Sequence, residues 1–477
     1  MKYLLISITI WLSLPSLSQP NKVFSPDELR EDFKIMIGSL RDFHPGLYWY
    51  RPKREIDNAF ETAYAKLNHS MDEHEYLRIL GSVISKIGCS HTQLRLSDST
   101  YQTYKEENNY FPLSVIALDN KLYATQSVEN SIDAGNEILS INDLSTDSLI
   151  QIFEESHWTE GLHPVMFNEI SRYFKHYSYP IFIGNAELYI IEYIDSEGNR
   201  RKSGLEKDLK KFSSPIVDYT FSDNLTLSFH SANEVSAAIL DVNVFFDWKK
   251  DGKKYKFSKK LRSAFKQIDS SGVNNLIIDL RDNGGGRAPY ELFSYLYDSN
   301  FTFFNRMEFI LDTESVYAKY CDPKLSKLWI SGQAKKSNQI NDSTYQLQNE
   351  PMLKEQKPSK PQFLGNVYVL INGGCFSATS DLAALIKSHK LATFFGTETG
   401  GSYYGNTSME DAWVTLPNSK VRVKIPLVRH FLSVEPMIPL GRGVIPDYKV
   451  EQSITDLKNG VDTQMEFVFT LLKEKSP

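Results

Sequence analysis

Two short apolar runs, each ending in glycines, constrain this chain more than any other feature. Leu276 to Gly286 reads LIIDLRDNGGG, and Val367 to Gly374 reads VYVLINGG. Unbroken runs rich in Val, Ile and Leu, closed by turn residues, describe strands buried on both faces. Such strands sit in sheets covered by helices on each side. The flanking pattern agrees: Ala237 to Val244 reads as a strand, Phe257 to Ile268 has helical spacing, residues 289 to 297 suit a helix, and another runs through Leu382 to Ser388. This alternation predicts an α/β layer fold from about Val235 onward.

The first half of the chain has other periods. Ser25-Pro26-Asp27-Glu28 is a helix start, with Pro in the first turn and acids near the N-terminal end of the dipole. Apolar residues recur at helical spacing through Leu29, Phe33, Ile37 and Leu40, then Ile56, Phe60 and Tyr64, then Leu77, Leu80 and Ile84. His44-Pro45-Gly46 separates the first two runs. From about Phe111 to Leu205 the pattern becomes strand-like, with the turn pair Asp119-Asn120 inside it. The expected organisation is a helical domain over 19–100, a β-rich domain over 105–210 and an α/β domain over 235–455. The polar stretch from Asp322 to Pro361 reads as a surface insertion.

At 477 residues and 41% hydrophobic, the chain can bury a large core, and a net charge of -6 without a basic stripe argues against nucleic acid as a partner. Residues 1–18 have the form of a signal peptide: Lys2, an apolar stretch from Tyr3 to Leu14, and the small-x-small pattern Ser16-Leu17-Ser18. Cleavage after Ser18 and export to the periplasm or the medium are expected, with no stable membrane insertion afterwards. Three cysteines, Cys89, Cys321 and Cys375, form neither a disulfide framework nor a zinc pattern by their spacing.

The glycine-ended runs also carry candidate chemistry. Gly284-Gly285-Gly286 at a strand end lets backbone N–H groups approach an anion, or simply makes a tight turn. Ser377 follows the second run where a helix begins. A serine there is either an exposed nucleophile beside the positive end of a helix or a helix cap.

Four segments in order, DLRDNGGG, CFSATS, FFGTETGG and GRGVIPDY, resemble the S41 peptidase family, which includes the C-terminal processing peptidases, the tricorn core protease and interphotoreceptor retinoid-binding modules. The resemblance covers about Val235 to Val450, and Ala134 to Asn142 resembles the core strand of a PDZ-like module. It implies a ClpP/crotonase-like α/β fold, Ser377 as nucleophile, and Ala378 with Gly285 or Gly286 as oxyanion donors. The sequence departs from the family at the general base: the lysine slot of processing peptidases is Ser402 here. Ser90-His91-Thr92 resembles the Ser-His pair of the tricorn branch, which implies His91 as base. Glu435, shortly before GVIPDY, is the expected partner acid; Glu398 and Asp381 are rival acids and His430 a rival base. The implied function is an exported serine peptidase acting on peptides or unfolded chain ends, with no metal or cofactor. The alternatives are an inactive S41-like module that binds a hydrophobic ligand and a serine esterase.

Overall fold

The computed structural model describes residues 22–475 apart from 108–110, 128–130, 163–173, 175–177, 208–222, 233–234, 251–252, 288, 311, 313–314, 323–331, 333–334 and 349. The expected signal peptide lies outside the described residues.

The chain starts with three helices, Pro26–Phe43, Lys53–Lys66 and Glu73–Ile87. The first is held by a capping box: the Glu28 N–H donates to Ser25 Oγ at 3.4 Å, and the Ser25 N–H donates to the Glu28 carboxylate at 2.8 Å. Its apolar stripe buries Leu29, Phe33, Met36, Leu40 and Phe43, each such side chain contributing roughly 1.5–3 kcal/mol. The third helix stops at Gly88, whose φ of 71° supplies the left-handed C-terminal turn. The loop Cys89–Thr92 follows, and then the short strand Gln93–Arg95. That strand pairs antiparallel with Arg422–Leu432, placing Leu94 opposite Val423. The N-terminal segment is thus stitched to the far end of the sequence directly after His91.

An antiparallel sheet follows, in the order Leu113–Leu118, Lys121–Ser127, Glu137–Ile141, Leu188–Ile194, Arg200–Glu206. Asp119 and Asn120 both have positive φ, the backbone a tight two-residue hairpin demands. The helix Thr146–Ser156 packs between this sheet and the third N-terminal helix. Both regions share one hydrophobic cluster, which also takes in Ala412, Val414, Val423 and Ile425 from the C-terminal half.

The central sheet runs Leu225–Ala232, Val235–Val242, Asn275–Asp279, Asn366–Ile371, Thr393–Gly396, Tyr448–Lys449. Its first pair is antiparallel and the rest parallel. Leu276, Ile278, Val369 and Ile371 face a core built with the helices Phe257–Ser271 and Ala378–Ser388. Ile277 and Leu370 face the helix Thr463–Glu474 on the other side. The layered α/β reading therefore holds for this part. Among the described residues no helix is long and apolar enough to cross a membrane.

Two expectations are corrected. Residues 289 to 297 form only a helical turn, Tyr290–Phe293, followed by further turns. The polar stretch after Asp322 is not merely a surface insertion. Within it, Ser337–Gln339 and Thr344–Leu347 pair with each other, and the latter pairs with Phe304–Ile310, extending a second sheet that includes Arg422–Leu432 and Thr407–Thr415. Backbone pairing holds these two strands at the end of the sheet, Ser337–Gln339 outermost, so their polar composition hid them.

Candidate active site

The two glycine turns meet at the carboxyl ends of adjacent parallel strands. Asn372 ties them: its side-chain oxygen accepts the N–H groups of Asp282 and Gly374, each at 2.9 Å, and its amide nitrogen donates to Asp282 Oδ1 at 3.0 Å. The Phe376 N–H donates to the Asn283 carbonyl at 3.2 Å. This clamp presses Gly285 against the start of the next helix. A Cβ at Gly285 would lie 2.9 Å from Ser377 Cβ and 3.1 Å from Ala378 N, so only glycine fits.

Ser377 occupies the N-cap position of the helix Ala378–Ser388 with φ 51° and ψ −128°, and its side chain makes no capping hydrogen bond. A non-glycine residue in so sparsely populated a region costs on the order of 1–3 kcal/mol. A strained strand-to-helix turn of this kind projects a serine hydroxyl out of the sheet. The capping alternative therefore fails on geometry: the Oγ points to His91, whose Nε2 lies 3.2 Å away.

His91 is placed by its loop. The Gly46 N–H donates to His44 Nδ1 at 3.0 Å, so His44 Nε2 carries a hydrogen and donates to Thr92 Oγ1 at 2.7 Å. This bond and the strand at Gln93 fix the loop from both sides. On the other face of the imidazole, His91 Nδ1 lies 3.4 Å from Ser90 Oγ, and Ser90 Oγ donates to Glu160 Oε2 at 2.6 Å. The Ser90 N–H also donates to Glu160 Oε2 at 3.0 Å, and the Tyr50 hydroxyl donates to Oε1 at 3.2 Å. The polarity is consistent along the row. With Nε2 accepting from Ser377, Nδ1–H points to Ser90, and Ser90 passes its own hydrogen to a carboxylate that only accepts.

Glu160 was not among the residues singled out in the sequence. It follows the helix Thr146–Ser156, in a stretch locked by close backbone approaches. Gly161 donates its N–H to Gly88 O, and Leu162 to Gly441 O, both at 2.8 Å. A Cβ on Gly88 would lie 2.4 Å from Gly161 O, and one on Gly161 would lie 2.4 Å from Gly441 O. The only local signal was a carboxylate followed by glycine.

Burial governs the electrostatics. It pushes the His91 pKa down to about 3, helped by the positive charge of Lys424, so the ring is neutral. It raises Glu160 to about 7 against the hydrogen bonds from Ser90 and Tyr50, which favour the anion. The Cys89 thiol is pushed up to about 12, first by burial and then by Glu160.

The other expected residues fall as follows. Glu435 is exposed and makes no side-chain bond to His91 among the described residues; its backbone N–H accepts no such role either, donating to Ser388 Oγ at 2.8 Å, while its carbonyl takes the Tyr403 hydroxyl at 3.0 Å. The loop of Glu435 folds onto Ser388 and Tyr403, while the carboxylate of Glu160 holds the place next to Ser90 and His91. Glu398 pairs with Arg442 and accepts the Gly443 N–H. Asp381 and His430 are buried and bonded to each other at 3.3 Å, with Asn406 donating to Asp381. Ser402 is buried beside Tyr50. The Gly285 N–H donates to Asn283 Oδ1 at 2.9 Å, so Gly285 supplies space, and Gly286 with Ala378 remain the candidate donors. The thiols of Cys89 and Cys375 are buried and donate to the carbonyls of Thr407 and Leu280.

The model of peptidase family S41 matches residues 236–450. No curated protein matches the sequence. Among solved structures the chain is similar to mature CPAF complexed with lactacystin, at 14% identity over 94% of this chain and 98% of that one, with a TM-score of 0.63. Mature CPAF gives 14% identity, 94% and 97% coverage and a TM-score of 0.63. The photosystem II D1 C-terminal processing protease gives 14% identity, 94% and 98% coverage and a TM-score of 0.42. At these identities the likeness to CPAF is one of fold. Residues 236–450, which hold the parallel strands and the Ser377 turn, match peptidase family S41.

Proposed function

We propose that the protein is an exported serine peptidase that hydrolyses peptides or unfolded chain ends through an acyl-enzyme. The observation that carries this reading is the 3.2 Å approach of His91 Nε2 to Ser377 Oγ, across 286 residues of sequence, at a serine held in strained backbone. His91 takes the Ser377 proton as Oγ attacks the substrate carbonyl. The N–H groups of Ala378 and Gly286 receive the oxyanion, beside the positive end of the helix Ala378–Ser388. The positive charge that forms on His91 is met through Ser90 by Glu160, which orients the ring as the acid of a triad does. His91 then protonates the leaving amine, and water repeats the cycle in reverse.

The burial of Ser402 at the lysine slot supports a histidine base, since a neutral serine cannot serve as one. The sheet over residues 113–206 is assigned the PDZ-like role of presenting a chain end by strand addition along an exposed edge. Treatment of the mature protein with a fluorophosphonate probe tests the reading. Labelling at Ser377 that disappears in His91→Ala is expected. Absence of labelling in the folded native chain would reject it in favour of a binding module.

A further inference from the structure

We propose that Cys89, His91 and Glu160 form a binding site for a thiophilic divalent cation of the Zn2+ class, and that its occupation inhibits hydrolysis. One donor atom from each residue lies within 4.8 Å of those of the other two. Zinc bonds of about 2.0–2.3 Å place tetrahedral ligands roughly 3.5 Å apart, so modest side-chain rotation closes the set. Thiolate, imidazole and carboxylate together suit a borderline-soft ion rather than Mg2+ or Ca2+. Cys89 and Glu160 are buried, and half-buried His91 leaves the set open on one side. The two segments that carry the donors are fastened to each other by the Gly161 to Gly88 bond and by the Ser90 N–H on Glu160. The donors are therefore preorganised although their spacing in the sequence is no metal motif.

The inhibitory part of this inference rests on the proposed role of His91 and Glu160; the binding part does not. A bound cation takes an imidazole lone pair and draws the Glu160 carboxylate away from Ser90, so both ends of the proton path are blocked. Cys89 gives up its thiol proton to solvent and its weak 3.6 Å contact with the Thr407 carbonyl.

Titration of the mature protein with Co2+, read by thiolate-to-cobalt charge transfer in the near ultraviolet, tests the site. A band that saturates at one ion per chain and is displaced by Zn2+ is expected. It should persist in Ser377→Ala and Cys321→Ser, vanish in Cys89→Ser, and require more Co2+ in Glu160→Gln. Zn2+ should inhibit native hydrolysis reversibly, with EDTA restoring it, and Cys89→Ser should need at least about tenfold more Zn2+. No band in the native chain, or a band that survives Cys89→Ser, overturns the site. A band that behaves as expected while Zn2+ leaves an active enzyme untouched overturns the inhibition alone. Because Ser377→Ala cannot form an acyl-enzyme, its cobalt band reads the metal site whatever becomes of the peptidase reading.

Discussion

The two sides of the Ser377–His91 contact are built in opposite ways. On the nucleophile side almost everything is local: a buried strand, a glycine turn and a helix follow one another from Asn366 to Ser388, and the neighbouring strand Asn275–Asp279 brings the second glycine turn alongside. On the base side little beyond the Ser90–His91 contact is local. His91 lies in a loop after the third helix, Glu160 in a return segment after another helix, and both are held by backbone contacts with residues far off in the sequence. A nucleophile whose backbone conformation is strained needs contiguous scaffolding to hold it. A base needs only to be delivered in the right direction, and several loops can share that task.

The comparison breaks most directly at the contact itself. Ser377→Ala and His91→Ala should each lower turnover by on the order of 10⁴-fold or more, and the double variant should lose little beyond either single one, since residues acting as a unit are not additive. Steady-state hydrolysis with circular dichroism as a folding control measures this. Additive losses would separate the two residues.

The next test sets Glu160 against Glu435. Glu160→Gln should reduce kcat by about 10²–10⁴-fold, the scale seen when the acid that orients a catalytic histidine is neutralised, with a smaller change in KM. Glu435→Gln should stay within about twofold of native, as an exposed substitution away from the relay does. The opposite ranking would return the acid role to the C-terminal loop.

A third variant strikes the scaffold of the base side. Gly161→Ala introduces a Cβ about 2.4 Å from the Gly441 carbonyl at a residue with φ 73°. It should cost about 1–3 kcal/mol of stability and lower activity through displacement of Glu160. Denaturant titration and kinetics together check it; lost stability with full activity would show that the segment positions nothing in the site.

The smallest effect is expected beneath the nucleophile side, where Arg281 bridges Asp279 and Asp462. Burial raises the Asp462 pKa, but the hydrogen bond and charge of Arg281 and the Met465 and Gln464 N–H groups outweigh it and hold it below the ordinary value. The folded state therefore binds fewer protons here than the unfolded state. The resulting stability is complete above the ordinary carboxylate pKa of about 3.9 and is lost as pH falls through the lower folded value. Asp462→Asn should flatten the acid limb of a melting-temperature profile below about pH 4 and leave the neutral plateau slightly lower. An unchanged acid limb would mean that the bridge is not linked to folding.

What the sequence determined by itself follows from short-range physics. The period of apolar residues placed the buried strands, Ser25 to Glu28 announced a helix start, and glycines beside Ser377 marked a backbone that other residues cannot adopt. His91 was legible only because its tripeptide resembled one that accompanies such serines. Only the tertiary structure brings forward Glu160 as the acid proposed here. A glutamate acquires that role through what surrounds it, and Tyr50, the Gly88–Ser90 turn and Gly441 converge on the Glu160 segment from three separate stretches of chain. No local pattern encodes such a convergence. Glu435 has its own loop folded onto Ser388 and Tyr403, and burial, which gives Glu160 its raised pKa, is a property of the packed molecule rather than of the residue.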